Sequence, residues 1–182
     1  MKQFFLLLLF PTIVFVACGD EKKQFPTCEN CEFTCLTVDD TNVYTNACQD
    51  NWTCEYKLAT NSRVDVDEYG GISEGDKTTF QLIVSTEGDE AIADDEFTYF
   101  LVFEVDNSLS SFSAENAQLS ALNLHYKRIC FCPDAGVFQA ITAGCLQGKQ
   151  QEDGSWFVQG KIAIPSVSEE TDLQFEAQFV RE

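Results

Sequence analysis

Nine cysteines are the residues of this 182-residue chain whose type and spacing most clearly indicate chemistry. One of them, Cys18, ends an apolar N-terminal run, and the other eight form two clusters. These are Cys28, Cys31, Cys35, Cys48 and Cys54 in the first cluster and Cys130, Cys132 and Cys145 in the second. In an exported chain, such a set is typical of a disulfide framework. Because both clusters hold an odd number, complete pairing requires at least one disulfide bond between them.

Two other kinds of chemistry are open to the cysteine pairs. Cys28 and Cys31 have the spacing of a redox motif, but a thioredoxin-like motif follows a strand and opens a helix, whereas these two lie among Asn, Glu and Thr. Zinc binding is the second alternative. Cys130 and Cys132 are separated by one residue, which differs from the spacing of a zinc knuckle. We therefore interpret all eight cysteines as structural.

An acidic segment at residues 65–76 is a candidate metal site. Side-chain oxygens occupy the first, third, ninth and twelfth positions of this segment, and glycine occupies the sixth. The four residues are Asp65, Asp67, Ser73 and Asp76. Their spacing resembles the calcium loop of the EF-hand family, although the fifth and twelfth positions depart from its usual residues. The resemblance implies weak calcium binding, and the alternative is an acidic turn between two strands.

Catalytic residues are not indicated by the sequence. His125 is the one histidine, and no Ser or Cys nucleophile motif accompanies it. Two carboxylates can hydrolyse a glycosidic bond, but thirty acidic residues leave the choice of a pair open. We therefore predict that the chain is not an enzyme, with a carboxylate-based extracytoplasmic hydrolase as the alternative.

The N-terminal run predicts export. Lys2 precedes an apolar stretch from Phe4 to Ala17, which is too short to span a hydrocarbon core of about 30 Å and has the flanks of a signal peptide. Phe15-Val16-Ala17-Cys18 resembles the lipobox of bacterial lipoproteins, in which the cysteine is lipidated and the chain is cut just before it. The resemblance implies a lipid at Cys18 and a membrane anchor. Cleavage by an ordinary signal peptidase is the alternative.

The segment after Cys18 bears on localisation. Asp20-Glu21-Lys22-Lys23 resembles the charged signal that sends some Gram-negative lipoproteins to the outer face of the outer membrane. A solvated linker is the alternative. We predict a lipid-anchored protein of the outer membrane or cell surface, with a periplasmic or secreted protein as the alternative.

The charge of the chain limits its partners. Thirty acidic residues against eleven basic ones give a formal net charge of −19. Such a surface repels phosphate backbones and anionic headgroups, so nucleic acid and direct membrane binding by the folded domain are not expected. It favours cations and basic partners.

The downstream sequence predicts strands. Apolar and polar residues alternate in several segments, and Asp153-Gly154 is a strong hairpin signal. Phe97–Val105 is apolar on both faces at its centre, which is typical of a central strand. Ser113 is expected to cap a short helix through Leu119. The fold class that we predict is all-β: an antiparallel β-sandwich with a disulfide-rich N-terminal segment.

These patterns divide the chain into four parts. They are a signal peptide at 1–17, a polar tether at 18–27, a Cys-rich segment at 28–62 and a β-sandwich domain at 63–182 that forms one structural unit with 28–62. We predict a membrane-anchored binding or interaction module. A structural subunit of an envelope complex is a further alternative, and an exposed apolar patch would favour it.

Overall fold

The computed structural model describes residues 43–45, 52–86, 97–130, 135–164 and 171–181. The predicted signal peptide, the tether and most of the Cys-rich segment lie outside these residues. So do Cys18, Cys28, Cys31, Cys35, Cys48 and Cys132. No helix within the described residues is long and apolar enough to cross a membrane.

Strands make up most of the described chain. They are β1 (Val43–Thr45), β2 (Trp52–Val64), β3 (Ile72–Thr86), β4 (Thr98–Asp106), β5 (Ser111–Glu115), β6 (His125–Ile129), β7 (Gln139–Ala140), β8 (Gly144–Gln150), β9 (Trp156–Ile164) and β10 (Thr171–Arg181). A 3-10 helix, Asn116–Leu122, connects β5 to β6. The prediction of an all-β fold is confirmed. The predicted boundary between residues 62 and 63 lies within β2.

The strands form one curled sheet with the order β5-β8-β9-β10-β2-β3-β4-β6-β7, and β1 pairs with β10. Most neighbouring strands are antiparallel, but β10 runs parallel to both β1 and β2. The sheet is therefore mixed, not antiparallel throughout as predicted. The reason is topological: β10 follows β9 by an antiparallel connection and then lies beside strands from the other end of the chain.

Aromatic rings join the two halves of the curled sheet. The ring of Phe80 on β3 is stacked on that of Phe103 on β4, with centroids 4.5 Å apart. The same Phe80 ring makes edge contacts with Phe112 on β5, Trp156 on β9 and Phe179 on β10. Because these strands lie far apart in the sheet order, the contacts show that its halves face each other across one core.

Alternation places the core residues as the sequence predicts. The inward residues of β10 are buried, namely Leu173, Phe175, Ala177 and Phe179. On β4, Leu101 and Phe103 face this core, while Phe100 and Val102 are also buried on the opposite face. The prediction of a central strand at Phe97–Val105 is therefore confirmed, as is the hairpin at Asp153-Gly154, which joins β8 to β9.

The predicted helix start is wrong. Ser113 belongs to β5 and pairs with Gln147 of β8. The short helix begins at Asn116 instead, after Glu115, whose backbone N–H donates to Gln118 Oε1 at 3.2 Å. Pairing of β5 with β8 thus extends the strand past the Ser113 that the local capping signal favoured.

The far end of the β2–β3 hairpin folds back over the outer face of the sheet. The Gln81 Nε2 group donates to the carbonyl oxygen of Gly70, although Gln81 lies nine residues into β3. In a straight strand at about 3.3 Å per residue, this side chain and the hairpin loop would be far apart. The register shifts around Ser62, which pairs with both Glu74 and Lys77, mark the bend. We call the folded part, residues 64–72, the flap.

Candidate functional site

The flap contains two of the four predicted calcium residues, Asp65 and Asp67, and Ser73 directly follows it. Ser73 Oγ donates to Asp65 Oδ2 at 3.0 Å, and the Asp67 backbone N–H donates to Asp65 Oδ1 at 3.2 Å. These hydrogen bonds, from Ser73 first, hold the pKa of Asp65 below its ordinary value. The guanidinium of Arg63 lies 3.6 Å from Asp65 Oδ2. Asp65, Asp67 and Ser73 are thus brought together around one carboxylate.

Asp76 lies apart from the flap loop, within β3, where its backbone oxygen accepts a hydrogen bond from Asn107 Nδ2 at 2.9 Å. Within the described ranges, no group of three or more His, Cys, Asp or Glu residues is placed to hold a metal ion. Calcium binding at Asp65, Asp67, Ser73 and Asp76 stays a prediction.

Three of the predicted disulfide cysteines fall within the described residues. Cys54, Cys130 and Cys145 are each disulfide-bonded. Three cysteines cannot all pair with one another, so at least one of these bonds reaches a cysteine outside the described residues. The complete framework and its connection between clusters stay predictions.

His125 makes no catalytic arrangement among the residues that the structure describes. Its Nδ1 donates to the carbonyl oxygen of Asn123 at 3.0 Å. No hydrogen bond in this part of the chain joins it to a carboxylate, a hydroxyl or a thiol, so a Ser-His-Asp arrangement around His125 is not formed there.

A pocket of about 420 Å³ opens at one end of the curled sheet. It lies between the ends of β2, β3 and β10 and the turns at 107–109 and 150–155. The buried side chains of Leu58 and Trp156 form its floor. We call it the mouth pocket.

The strand alternation explains which side chains line the mouth pocket. Thr60, Thr78 and Arg181 each lie two residues from a core residue on the same strand, so they share its inward face. The hydrophobic core ends at this level, and the inward positions become polar. Hydroxyl groups and a guanidinium therefore stand on the inner wall above an apolar floor.

The polar side chains of the mouth pocket are fixed by hydrogen bonds. Arg181 Nη2 donates to Thr60 Oγ1 at 2.8 Å. Thr78 Oγ1 donates to Asn107 Oδ1 at 2.6 Å, which ties β3 to the turn after β4. Since most of these residues sit on paired strands, the wall of the pocket is formed in advance of any ligand.

The opposite rim is a turn that carries a carboxylate. The hydroxyl and the backbone N–H of Ser155 donate to Asp153 Oδ1 at 2.6 and 2.9 Å. Gln178 Nε2 in turn donates to Ser155 Oγ at 2.7 Å, which joins the turn to β10. The two hydrogen bonds from Ser155, the hydroxyl first, lower the pKa of Asp153. This carboxylate is therefore ionised at neutral pH.

The mouth pocket thus displays both signs of charge. Arg181 is permanently protonated, and Asp153 is ionised. In the part of the chain that the structure describes, neither residue forms an ion pair. Asp153 is also the one carboxylate among the described lining residues, so the pair of acids that glycoside hydrolysis uses is not assembled there.

Comparison with protein-family models, with curated proteins and with solved structures finds no match for this chain. We therefore infer the function of the chain from its own geometry.

The mouth pocket is not predicted by any pattern in the sequence. Its lining comes from β2, β3, β10 and two turns, which are distant in sequence. One signal was present: Arg181 continues the inward series of Phe175, Ala177 and Phe179, and an arginine at such a position marks the end of a core.

A second cluster surrounds Lys127 on the outer face of the sheet. This side chain is only 6% exposed. Its Nζ donates to the carbonyl oxygen of Tyr69 at 2.6 Å and lies 4.7 Å from the ring centroids of Tyr69 and Phe138. Burial lowers the pKa of Lys127. The cluster joins the flap to β6.

Proposed function

We propose that this chain is an exported, lipid-anchored binding module that takes a small ligand into the mouth pocket. The observation that carries the proposal is the pocket itself, at the end of a curled sheet, with an apolar floor and fixed polar groups on its wall and rim. Ligand sites in proteins are commonly concave, largely preformed and lined by apolar groups with a few placed polar groups.

The scaffold suits such a role. Thr60, Thr78 and Arg181 on the wall of the pocket sit on strands whose inward side chains belong to the common core, so binding requires little ordering of this wall. We regard the two facing halves of the curled sheet as the β-sandwich that the sequence predicts. At least one disulfide bond between the two cysteine clusters would stabilise this scaffold outside the cytoplasm.

The proposed location of the protein at a membrane is based on its N-terminal residues. Several acyl chains on Cys18, each methylene contributing about 0.8 kcal/mol, would hold the protein stably on a bilayer. The pocket would then face the solvent beside the outer membrane or the cell surface, with a periplasmic or secreted form as the alternative. The net charge of −19 argues against nucleic acid as a ligand, because such a surface repels phosphate groups.

The anchor is tested by fractionation. The unchanged chain should stay with membranes through a carbonate wash, and Cys18→Ser should move it to the soluble fraction. Intact mass of the mature protein should show a lipidated N-terminal cysteine. Unchanged membrane partitioning of Cys18→Ser would contradict the anchor.

Binding is tested by thermal shift with a panel of amino acids, monosaccharides, fatty carboxylates and primary amines. A compound at ten times its Kd should stabilise the protein by about 1.4 kcal/mol, a shift of a few degrees in Tm. Leu109→Trp, which fills the pocket, should abolish the shift. Val137→Trp, at an exposed position that does not line the pocket, is the control. If no class of compound shifts the native protein, or if Leu109→Trp responds equally, the pocket is not a binding site.

A further inference from the structure

We propose that the ligand of the mouth pocket is a small apolar zwitterion: an α-amino acid or a dipeptide with an apolar side chain. This inference rests on the proposed binding function and names its ligand class. It follows from two groups of opposite charge, Arg181 and Asp153, that line the same pocket around an apolar floor.

Arg181 is the group for the carboxylate of the ligand. Its guanidinium has five N–H donors in a planar fork, and the hydrogen bond to Thr60 Oγ1 uses Nη2. That bond fixes the guanidinium over the inner wall. The remaining donors match the two oxygens of a carboxylate, which arginine binds in a bidentate manner.

Asp153 is the group for the ammonium of the ligand. Both hydrogen bonds from Ser155 end on Oδ1, which fixes the orientation of the carboxylate. Among the described residues, no hydrogen bond ends on Oδ2. This oxygen is therefore placed to accept an N–H from a bound ammonium, and the ionised state of Asp153 makes that bond charge-assisted.

The apolar floor of the pocket favours a ligand with an apolar side chain. The half-buried Leu109 offers aliphatic surface beside the buried floor, and a volume of about 420 Å³ is at the small end of the range for ligand pockets, roughly 300–1,000 Å³. A sugar fits less well, because Trp156 is only 2% exposed and its ring packs against Phe80 and Phe112. The ring face is thus not offered as a stacking surface.

The total charge of the protein agrees with a neutral ligand. At −19, the chain repels small anions over a distance of about one Debye length. A plain cation would gain from that field but would meet Arg181 in the pocket. A zwitterion has no net charge and carries one group that Arg181 attracts and one that Asp153 attracts.

Four probes test this assignment by calorimetry on the full chain. Leucine and leucyl-leucine carry both charges, N-acetyl-leucine lacks the ammonium, and leucinamide lacks the carboxylate. We expect at least one of the two zwitterions to bind and each singly charged analogue to bind at least tenfold more weakly.

Two variants that each replace one charged side chain by a neutral polar one assign the charges. Arg181→Gln should weaken the zwitterion at least tenfold and leave leucinamide unchanged. Asp153→Asn keeps an Oδ1 acceptor for Ser155, and it should weaken the zwitterion and leave N-acetyl-leucine unchanged. Lys57→Gln, which removes a cation on the outward side of β2, is the control and should bind as the native chain does. An unaltered Tm for each variant shows that the fold is retained.

The outcomes separate this inference from the proposed function. N-acetyl-leucine binding as tightly as the zwitterions would indicate a simple carboxylate site and overturn the inference. Leucinamide binding as tightly would indicate a cation site and also overturn it. Absence of zwitterion binding, while another compound of the thermal-shift panel binds, leaves the binding function standing and rejects the zwitterion. If no compound binds at all, both fail.

Discussion

The ammonium group of Lys127 lies 2.6 Å from the carbonyl oxygen of Tyr69 and thereby connects β6 to the tip of the flap. The flap is also held by Gln81, whose Nε2 donates to the carbonyl oxygen of Gly70, and by Glu104, which accepts the backbone N–H of Val64 at 2.6 Å. All three side chains project from the outer face of the sheet. The fold-back is therefore fixed by polar contacts with the sheet below it.

Removing the ammonium should release the flap. Lys127→Met keeps the aliphatic stem but loses the hydrogen bond to Tyr69 and the contacts with the rings of Tyr69 and Phe138. We expect a loss of about 1–2 kcal/mol in the free energy of unfolding, since a hydrogen bond to a charged group and a cation–π contact each contribute on this order. Amides of residues 65–71 should exchange faster with deuterium. Lys57→Met, at a half-exposed ion pair, is the control and should change little. Unchanged exchange in the flap would contradict this role of Lys127.

The bend of the hairpin should depend on Gly75. A Cβ at this position would lie 2.7 Å from the Cβ of Arg63 and 2.8 Å from the backbone of Ser62. Gly75→Ala should therefore cost about 1–3 kcal/mol of unfolding free energy, as overpacking does. Glu74→Ala, at the exposed neighbouring position, is the matched control. Equal denaturation midpoints for the two variants would show that the close approach is not required.

The free energy of unfolding should decrease in acid as Asp106 becomes protonated. Hydrogen bonds from the Ser108 backbone and hydroxyl, and then from Lys77, lower the pKa of Asp106 to about 2 from an ordinary value of 3.8. A pKa lower in the folded state means that the unfolded chain binds protons more readily. The contribution of Asp106 is then complete above about pH 3.8 and is lost as the pH falls towards 2. Denaturation midpoints measured across this interval should decrease, and Asp106→Asn should flatten the decrease. Glu152→Gln should leave the slope as it is; a slope that Asp106→Asn does not alter would exclude this carboxylate as the source.

Calcium should bind weakly at Asp65, Asp67, Ser73 and Asp76, with a Kd on the order of 10⁻⁴–10⁻³ M. Asp65 would exchange its contacts with Ser73 and Arg63 for the ion, which limits the affinity. Millimolar calcium should raise Tm, and Asp65→Ala combined with Asp67→Ala should remove the rise. Magnesium at the same concentration controls for ionic strength. If calcium does not change the Tm of the native protein, this prediction is wrong.

The cysteine clusters should be joined by at least one disulfide bond. Cys54 belongs to the first cluster, and Cys130 and Cys145 belong to the second. A bridge between clusters closes a long loop, for which chain-entropy estimates give about 4–5 kcal/mol. Peptide mapping without reduction should recover a peptide pair that spans the clusters. Bridges confined to each cluster, with one thiol left over in each, would contradict the prediction.

Alternation in the sequence was sufficient to predict the all-β class and the core. Each inward series, such as Leu173 to Phe179, depends only on the period of a strand. The fold-back of the flap was not predicted, because it depends on the close approach of Gly75 to Ser62 and on partners up to 58 residues away, as between Tyr69 and Lys127. Local patterns carry no information about either.

The position of β10 in the sheet could not be predicted from the sequence for a similar reason. Its residues indicate a strand, but nothing in them indicates a parallel neighbour from the other end of the described chain. The mouth pocket depends on that neighbour, since Arg181 meets Thr60 only through the pairing of β10 with β2. A candidate site that is assembled by topology therefore appears only with the structure.

The pairing of β10 with β2 also bears on the timing of folding. The hydrogen bond between Arg181 and Thr60 spans 121 residues, and the sheet is continuous only when β10 lies between β9 and β2. Such non-local pairing slows folding, because the entropy of closing a long loop is lost before the contacts form. We therefore expect the hairpins on either side to form before the shared core closes. If the chain is exported as we propose, this late closure would keep it unfolded while it crosses a membrane and would let it reach its folded state on the far side.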